Sequence, residues 1–563
     1  MKIRAVPLVV AFSLVAALGM NGGAAVARPV DRSRGAGVVD HYPDFVKYGY
    51  LVGDRARFDR LKAEAIRRAA TRHPSAAQPS AAQPSTGAAP VANPSFQGAY
   101  DNAGAPPDTT GAIGPQSFVE AVNSRIDVYS RTGTHLGGNT FTDALGPCES
   151  GVSGGLCEYS DPQVLYDLGT NRFYYEDLNA DLSGNRNVFK FGFSKSSAPT
   201  TFDQTQWCNY TIDFGYGTSI PDYPKMAVTA DFAVIGVNVY TTLVTYVGSD
   251  IDTIAKPKAT GTLTSCPAAS TLTTSRNGPQ FNCDGSPFAS DPNPAVHVAP
   301  SKTTWVVGVP DATNSGATGN YVDIIKISKD ATTGGPLIGP AQCVTVPAYS
   351  PPAPAVQRPN PPTPEYTIDT LDGRIDEARI AFDPRIGGPS PWALWTAHAV
   401  SGGLGSQVDW YEIDVAHAKL FQNGSVSGST LDVFDPSIAS DRRPGPAPTY
   451  GQGFFGSDMV LNVSTSGPNN YPAAQMVSKV GANPQSALVK VKGSPGPYAD
   501  FSCSQNPIFP GKCRWGDYSG AVPDPFAPTT GSVGRVWCAN EWTAGVNDPF
   551  GTTWRTWIWQ ATP

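Results

Sequence analysis

Seven aspartates recur along the chain, each a few residues ahead of a short apolar run. Asp108 precedes Ala112-Ile113, Asp161 precedes Val164-Leu165-Tyr166, and Asp222 precedes Met226-Ala227-Val228. Asp291 precedes Ala295-Val296, Asp376 precedes Ile380-Ala381-Phe382, Asp458 precedes Met459-Val460-Leu461, and Asp517 precedes Ala521-Val522. If each opens an equivalent strand, the carboxylates gather at one place. Their oxygens are hard ligands that suit Ca²⁺, and close carboxylates repel until a cation or protons relieve them. On that reading Asp161, Asp222, Asp376, Asp458 and Asp517 are candidate calcium ligands. The alternative is local: each Asp caps its own turn by accepting backbone N–H bonds.

Two segments are denser in functional groups than turns require: Asp222-Tyr223-Pro224-Lys225 and Arg514-Trp515-Gly516-Asp517-Tyr518. Acid, base and aromatic plane together suit a sugar, whose C–H faces stack on rings while its hydroxyls bond to charges. Asp222, Tyr223, Lys225, Arg379, His398, Trp515 and Tyr518 are the candidate ligand-binding residues, with internal ion pairs and core aromatics as the alternative. Asp376-Glu377 near Arg379, and Glu541 beside Trp542, are the acid/base candidates. A glycosidase needs two carboxyls about 5–5.5 Å apart for retention or about 6.5–9.5 Å for inversion, a distance that spacing along the chain does not fix. His398 reads as a core or channel imidazole. Nucleophile-elbow, P-loop, zinc-protease and EF-hand motifs are absent from the sequence.

The elements that would position these groups read as strands. A heavier apolar run follows most of the Asp units: Phe118–Val122, Phe173–Tyr175, Phe232–Gly236, Trp305–Gly308, Trp392–Trp395 and Val536–Cys538. A four-stranded propeller blade needs about 40–50 residues, and every Asp interval has room for one. Radial repetition also leaves only short protected edges. The expected fold is therefore all-β, a β-propeller of seven blades, with six as the other count and paired β-sandwiches as the rival. Trp554–Trp559 is expected to close the ring against an early strand.

Composition agrees. The 563 residues include 58 Gly and 53 Pro, and only 15% are charged. This excludes a coiled coil, a collagen and a disordered acidic chain. A net charge of −7 argues against nucleic acid as a partner. Residues 1–27 read as a signal peptide: Lys2 and Arg4, an apolar stretch Pro7–Met20, and Ala25-Val26-Ala27 before Arg28. No membrane-spanning segment is expected, and the chain is read as secreted and extracellular. Residues 28–73 form a short helical N-terminal segment, with Phe58, Leu61, Ala65 and Ile66 on one helix face. Residues 74–95 are a Pro/Ala/Ser/Gln-rich spacer, and 96–563 the propeller. Nine cysteines in an oxidising compartment imply disulfides. Close spacing suggests Cys148–Cys157, Cys266–Cys283 and Cys503–Cys513, and one thiol must be left over.

Five blocks also resemble a widespread set of secreted bacterial proteins. They are Pro106-Pro107-Asp108-Thr109-Thr110-Gly111-Ala112-Ile113-Gly114-Pro115, Asp161-Pro162-Gln163-Val164-Leu165-Tyr166-Asp167, Asp222–Lys225, Asp372-Gly373-Arg374 with Leu394–His398, and Arg514–Ser519 with Asn540-Glu541-Trp542. The resemblance implies a sialidase-like or related propeller, in a family whose function is largely unassigned. The Asp-box that sialidases carry is not matched, because Ser328–Thr333 lacks its Gly and Trp. The leading expectation is an extracellular binding protein that recognises a carbohydrate or cell-surface glycan at a propeller mouth, with calcium as the candidate cofactor. The alternatives are a glycoside hydrolase or lyase using paired carboxylates, and a protein-interaction platform.

Overall fold

The computed structural model describes residues 54–72, 87–101, 105–150, 157–181, 186–241, 245–286, 291–311, 314–361, 363, 365–444, 454–504, 512–527, 533–548 and 552–563. The signal peptide and most of the spacer lie outside these residues.

Seven antiparallel sheets form the seven blades expected of a propeller. Blade 1 runs outward from Thr110–Ile113 through Ser117–Val122 and Arg125–Ser130 to His135–Thr140. Blade 2 is Cys157–Asp167, Arg172–Asp181, Val188–Ser194 and Trp207–Ile212. Blade 3 is Ile220–Val228, Phe232–Thr241, Thr245–Ala255 and Thr274–Ser275. Blade 4 is Asn293–Pro294, Thr304–Gly308 and Gly319–Lys329, the last pairing with both Pro336–Ile338 and Gln342–Tyr349. Blade 5 is Glu377–Phe382, Trp392–Ser401, Ser406–Asp414 and Lys419–Val426, with Val296–His297 parallel to its inner strand. Blade 6 is Asp432–Ser440, Met459–Gly467, Asn470–Lys479 and Val489–Gly493. Blade 7 is Gly520–Pro523, Val536–Thr543 and Trp554–Thr562.

The fourth strand of blade 7 comes from the other end of the chain. Val91–Gln97 pairs antiparallel with Trp554–Thr562, from Val91↔Thr562 to Gln97↔Trp557. This is the ring closure that the last strand implied. Val91–Ser95, assigned to the spacer by composition, are thus part of the sheet.

Each blade is apolar on both faces, so each must bury both. Seven apolar clusters do this, one per blade interface. Phe173, Tyr175 and Trp207 meet blade 1 at Val119 and Ile126, and Trp395 and Trp410 meet blade 6 at Met459 and Leu461. Phe118 and Tyr129 meet blade 7 at Trp537 and Ile558, which seals the ring. An eighth cluster lies outside this repeat. Ile368, Tyr498, Phe501, Trp515 and Trp554 pack together, joined by the Cys503–Cys513 bridge.

The N-terminal helix forms as Arg55–Arg72. Its buried stripe is Phe58, Lys62 and Ala65, whereas Ile66 is 53% exposed. Lys62 takes the inward place because its ammonium meets carbonyls: Nζ donates to Pro352 O at 3.0 Å and to Leu371 O. Arg57 pairs with Asp311 at 2.5 Å. The helix therefore docks on loops of blades 4 and 5.

Cys148–Cys157 and Cys503–Cys513 form as expected, and Cys266–Cys283 does not. Cys266 and Cys283 flank the outer strand of blade 3 and serve opposite neighbours. Cys266 bridges back to Cys208 of blade 2, and Cys283 bridges forward to Cys343 of blade 4. Cys538 is the free thiol, buried between blades 6 and 7, and burial pushes its pKa up.

Non-reducing peptide mapping should return the 208–266 and 283–343 linked peptides and no 266–283 link. Deleting residues 87–98 strips blade 7 of its outer strand. The expected result is a melting temperature lower by about 10 °C or more, and an unchanged value would mean that closure adds nothing.

Candidate functional site

The aspartate series meets at one end of the propeller axis. Several inner strands carry, just before or within their first half, a residue in the left-handed region: Asp108 (φ 50°), Asp161 (57°), Tyr223 (55°), Asp291 (61°) and Asp435 (48°). Asp adopts this conformation more readily than most residues. In blades 2, 3 and 6 the register breaks just there, at Ser160/Gln163, Asp222/Lys225 and Phe434/Ser437. Such bulges re-aim side chains.

Blade 6 corrects one expectation. Its ring carboxylate is Asp435, not Asp458. Asp458 begins the second strand of that blade and accepts the Gly481 N–H at 2.7 Å. The apolar run after Asp458 is real, but it is a second strand. The missed signal is Asp435-Pro436-Ser437-Ile438, which mirrors Asp161-Pro162-Gln163-Val164.

The carboxylates stitch one blade to the next. Asp108 Oδ1 accepts the Asp517 N–H at 2.6 Å, linking blade 1 to blade 7. Asp161 Oδ2 accepts the Tyr223 N–H at 3.2 Å, linking blade 2 to blade 3. Asn123 adds a relay: its amide donates to Asp108 Oδ2 at 2.7 Å and its oxygen accepts the Asp161 N–H at 2.8 Å. Asn238 does the same for Asp291, accepting its N–H at 2.9 Å. Apart from the Asn123–Asp108 bond, which stays within blade 1, these bonds differ from the self-capping turn considered above, because the partner belongs to a neighbouring blade.

Two tyrosines cross the axis. Tyr223 O–H donates to the Asp517 carbonyl at 2.9 Å and stands 3.4 Å from Asp376 Oδ1. Tyr518 O–H donates to the Pro162 carbonyl at 3.2 Å. Their rings meet edge to face at 5.8 Å. Lys225 Nζ lies 3.1 Å from the Tyr518 ring centre and 4.0 Å from that of Tyr223. It is 3% exposed and has no hydrogen-bond partner. Arg374 is held by both oxygens of Asp372 at 2.9 Å and by Asp291 at 3.2 Å. Arg514 pairs with Asp517.

Burial pushes the ring carboxylates up, and their mutual repulsion adds to it. Asp108, Asp222 and Asp376 stand well above the usual range. Asp435 rises to about 7 by burial and the nearby Asp517 charge. Burial lowers Lys225 to about 8, against the pull of Asp161 and Asp376. The protein supplies some of the counter-charge itself, through Lys225, Arg374 and Arg514. Protons or a bound cation must supply the rest.

The mouth is covered. The cavity beside Arg374, Asp376, Asp435 and Gly516 measures only ≈ 10 Å³, about one water. Thr370 and Leu371 line it, and both contact Lys62 of the docked helix.

The other site candidates disperse. Trp515 sits in the eighth apolar cluster and donates to Ser464 Oγ at 3.0 Å. His398 is fully buried in blade 5, bonded to the Gly373 carbonyl at 2.8 Å and the Tyr411 hydroxyl at 2.9 Å. Glu377 pairs with Arg379 and accepts the Ala521 N–H at 3.2 Å. Arg379 lies toward the opposite end of the axis. Glu541 accepts the Gly516 N–H at 2.9 Å, while its Oε1 has no partner. Asp376, Glu377 and Glu541 therefore do not line one open cleft. Arg374, Arg514 and the Asn123 and Asn238 relays complete the network.

No protein-family model and no curated protein sequence matches the chain. Solved structures similar to it include an apocarotenoid oxygenase from Synechocystis, at 10% identity over 68% of this chain and 71% of that one, TM-score 0.34. An endo-arabinanase of glycoside hydrolase family 43 from Bacillus licheniformis matches at 11% identity, over 52% of this chain and 93% of that one, TM-score 0.25. A xylan β-1,4-xylosidase from Bacillus halodurans matches at 9% identity, over 84% and 96%, TM-score 0.27. Likeness at this level carries no functional argument, and the seven-blade architecture rests on the strand order.

Unfolded carboxylates titrate near 4, whereas Asp435 and Glu120 titrate at about 7 in the fold, both raised by burial. The folded state thus keeps protons that the unfolded chain has released. Their contribution is full below pH about 4 and is lost as pH rises through about 7. Thermal melts from pH 5 to 8 should show a falling melting temperature. Lys225→Met should cost about 3–5 kcal/mol at pH 8 by leaving the carboxylates uncompensated, and less at pH 5. An equal cost at both would overturn the reading of Lys225 as their counter-ion.

Proposed function

We propose that this chain is an exported binding protein that recognises a glycan on the face of the propeller that carries the carboxylate mouth. One observation carries the reading. Trp542 directly follows Glu541, the residue bonded to the mouth segment, and it opens an aromatic rim with Trp557 and Tyr100. The two indoles meet at right angles with centres 6.1 Å apart. Lys492 Nζ lies 4.0 Å from one and 4.1 Å from the other. Arg555 stacks on Tyr100, which is 43% exposed, at 3.4 Å. Half-exposed rings with cations between them offer stacking faces for sugar C–H groups and donors for hydroxyl or acid groups. The mouth itself, with room for about one water, supports recognition on its rim and not inside it.

Calcium belongs to the same proposal. The carboxylates that would take it are Asp161, Asp222, Asp376 and Asp517, with Asp435 in place of Asp458. The four disulfides fit an extracellular setting, and among the described residues no helix is long and apolar enough to cross a membrane.

A hydrolase is the second reading, favoured by Glu541. Burial holds its carboxyl well above the usual range, and a protonated carboxyl is what a general acid needs. The protein-platform reading gains no such support: the exposed large hydrophobics, such as Leu136, Phe281, Leu337 and Phe421, are spread over separate blades and loops.

Residues 28–563 screened on a glycan array should bind at least one polysaccharide. Trp542→Ala and Trp557→Ala should weaken that binding about tenfold, measured on variants shown to be folded because Trp557 also packs on the blade 6–7 cluster. Equal binding by both variants would remove the rim from the proposal. Released sugar products that vanish in Glu541→Gln would replace binding by hydrolysis. Millimolar Ca²⁺ should raise the melting temperature at pH 8 relative to a chelator, and no difference would exclude the ion.

A further inference from the structure

We propose that the Cys283–Cys343 bridge is an exchange-active disulfide, opened by a small dithiol, and that Asp323 carries the proton for the exchange. The two sulfurs and one Asp323 carboxylate oxygen all lie within 4.8 Å of one another. Among the described residues, no other three such atoms from His, Cys, Asp or Glu gather so closely. The ladder of blade 4 produces the contact. Asp323 stands directly opposite Cys343 in the pairing of Gly319–Lys329 with Gln342–Tyr349, and opposed residues put their side chains on one face. Cys283 comes from the chain after blade 3 and bridges onto that face.

Asp323 interrupts an apolar face. That face of the strand continues as Ile325 and Ile327, which pack with Phe232, Val234 and Ile251 of blade 3. The Asp323 residue is 0% exposed there. One carboxylate oxygen accepts the Cys283 N–H at 2.8 Å, and the other has no hydrogen-bond partner. A backbone cap needs one oxygen, and buried polar atoms normally find partners, so the second oxygen is left for the sulfurs. Burial pushes the carboxyl up to about 7, against the pull of the Cys283 N–H, and the Asp284 charge in the same loop adds to the rise. Tyr321 and Tyr349 stand near it, and burial keeps both neutral. Their hydroxyls donate to Asp284 and to the Tyr321 carbonyl, each at 2.8 Å. Near neutral pH the Asp323 carboxyl therefore both holds and releases a proton.

Access completes the arrangement. Cys343 is exposed and Cys283 partly so, whereas Cys503 and Cys513 are shut inside an apolar cluster. A thiolate of the dithiol attacks Cys343 Sγ, forms a new S–S bond and breaks the bond to Cys283, whose sulfur leaves with the electron pair. Asp323 gives that sulfur its proton. The carboxylate then takes a proton from the second thiol, which attacks the mixed disulfide and departs as a cyclic disulfide. Cys343 regains from water the proton that the first thiol released. The bridge is reduced, the dithiol is oxidised, and Asp323 ends as it began. Opening the bridge unlocks the outer join between blades 3 and 4. The chain holds its own comparator. Cys208–Cys266 also joins neighbouring blades, spans 58 residues against 60, and exposes one sulfur, Cys266, yet it has no carboxylate in this position.

The test treats folded residues 28–563 with dithiothreitol, and timed alkylation with peptide mapping follows each bridge separately. At pH 6 the 283–343 bridge should open about tenfold faster than 208–266. Below about 7 Asp323 is a proton donor, and above it the carboxylate charge repels both the incoming and the leaving thiolate. Asp323→Asn keeps an oxygen for the Cys283 N–H but has no proton to give and take. Dividing the wild-type rate by that of the variant at each pH cancels the ionisation of the reagent. The ratio should be about tenfold at pH 6 and fall toward one by pH 8. A ratio that stays constant with pH leaves Asp323 as a backbone cap and overturns the proposal. So does a 283–343 bridge that opens no faster than 208–266 in the unaltered chain, a comparison that needs no variant.

Discussion

Carboxylates that accept N–H groups from the next blade hold the axis of this propeller together. Apolar faces alone would let seven sheets slide or tilt, because hydrophobic contact has no direction. A bond such as Asp517 N–H to Asp108, or Tyr223 N–H to Asp161, has one geometry. The left-handed residue and the register break in blades 2, 3 and 6 exist to turn those carboxylates inward. The rest follows from gathering them. The charges need Lys225 and Arg374, the cations need tyrosine faces, and Tyr223 and Tyr518 end up bridging the axis.

Most of this architecture is visible in the sequence where the signal is local. An Asp, a turn and two apolar runs mark a blade, and six of the seven ring positions read correctly. The seventh failed because Asp458 also precedes an apolar run, while Asp435 carries the Asp-Pro pair that blades 2 and 4 share. Non-local features were out of reach. Cys266 and Cys283 lie near each other in sequence, but an intervening strand sends them to different blades. The cover over the mouth was equally hidden, since it assembles from the N-terminal helix and segments around 350–371 and 498–518.

The two ends of the axis differ in sign. Acidic groups crowd one end, under a cover that leaves space for about one water. Arginines face an enclosed, mostly apolar space at the other. A propeller that used its axis as a passage would need both ends open. Here Tyr223 reaches the Asp517 carbonyl and Tyr518 the Pro162 carbonyl, both across the axis. Trp542 and Trp557, outside both ends, stay partly exposed.

The ring closes by joining residues near the two ends of the described chain, Val91 with Thr562. A nascent chain makes Val91–Gln97 more than four hundred residues before its partner. In the interval that strand is an orphan, and blade 7 lacks the edge that would finish it. Orphan strands and open edges recruit copies of themselves, so the hazard here is domain swapping between newly made molecules. The strand carries its own safeguard. Pro94 interrupts its ladder, where the register breaks between Ala92 and Ser95, and a proline offers no N–H to a stray partner.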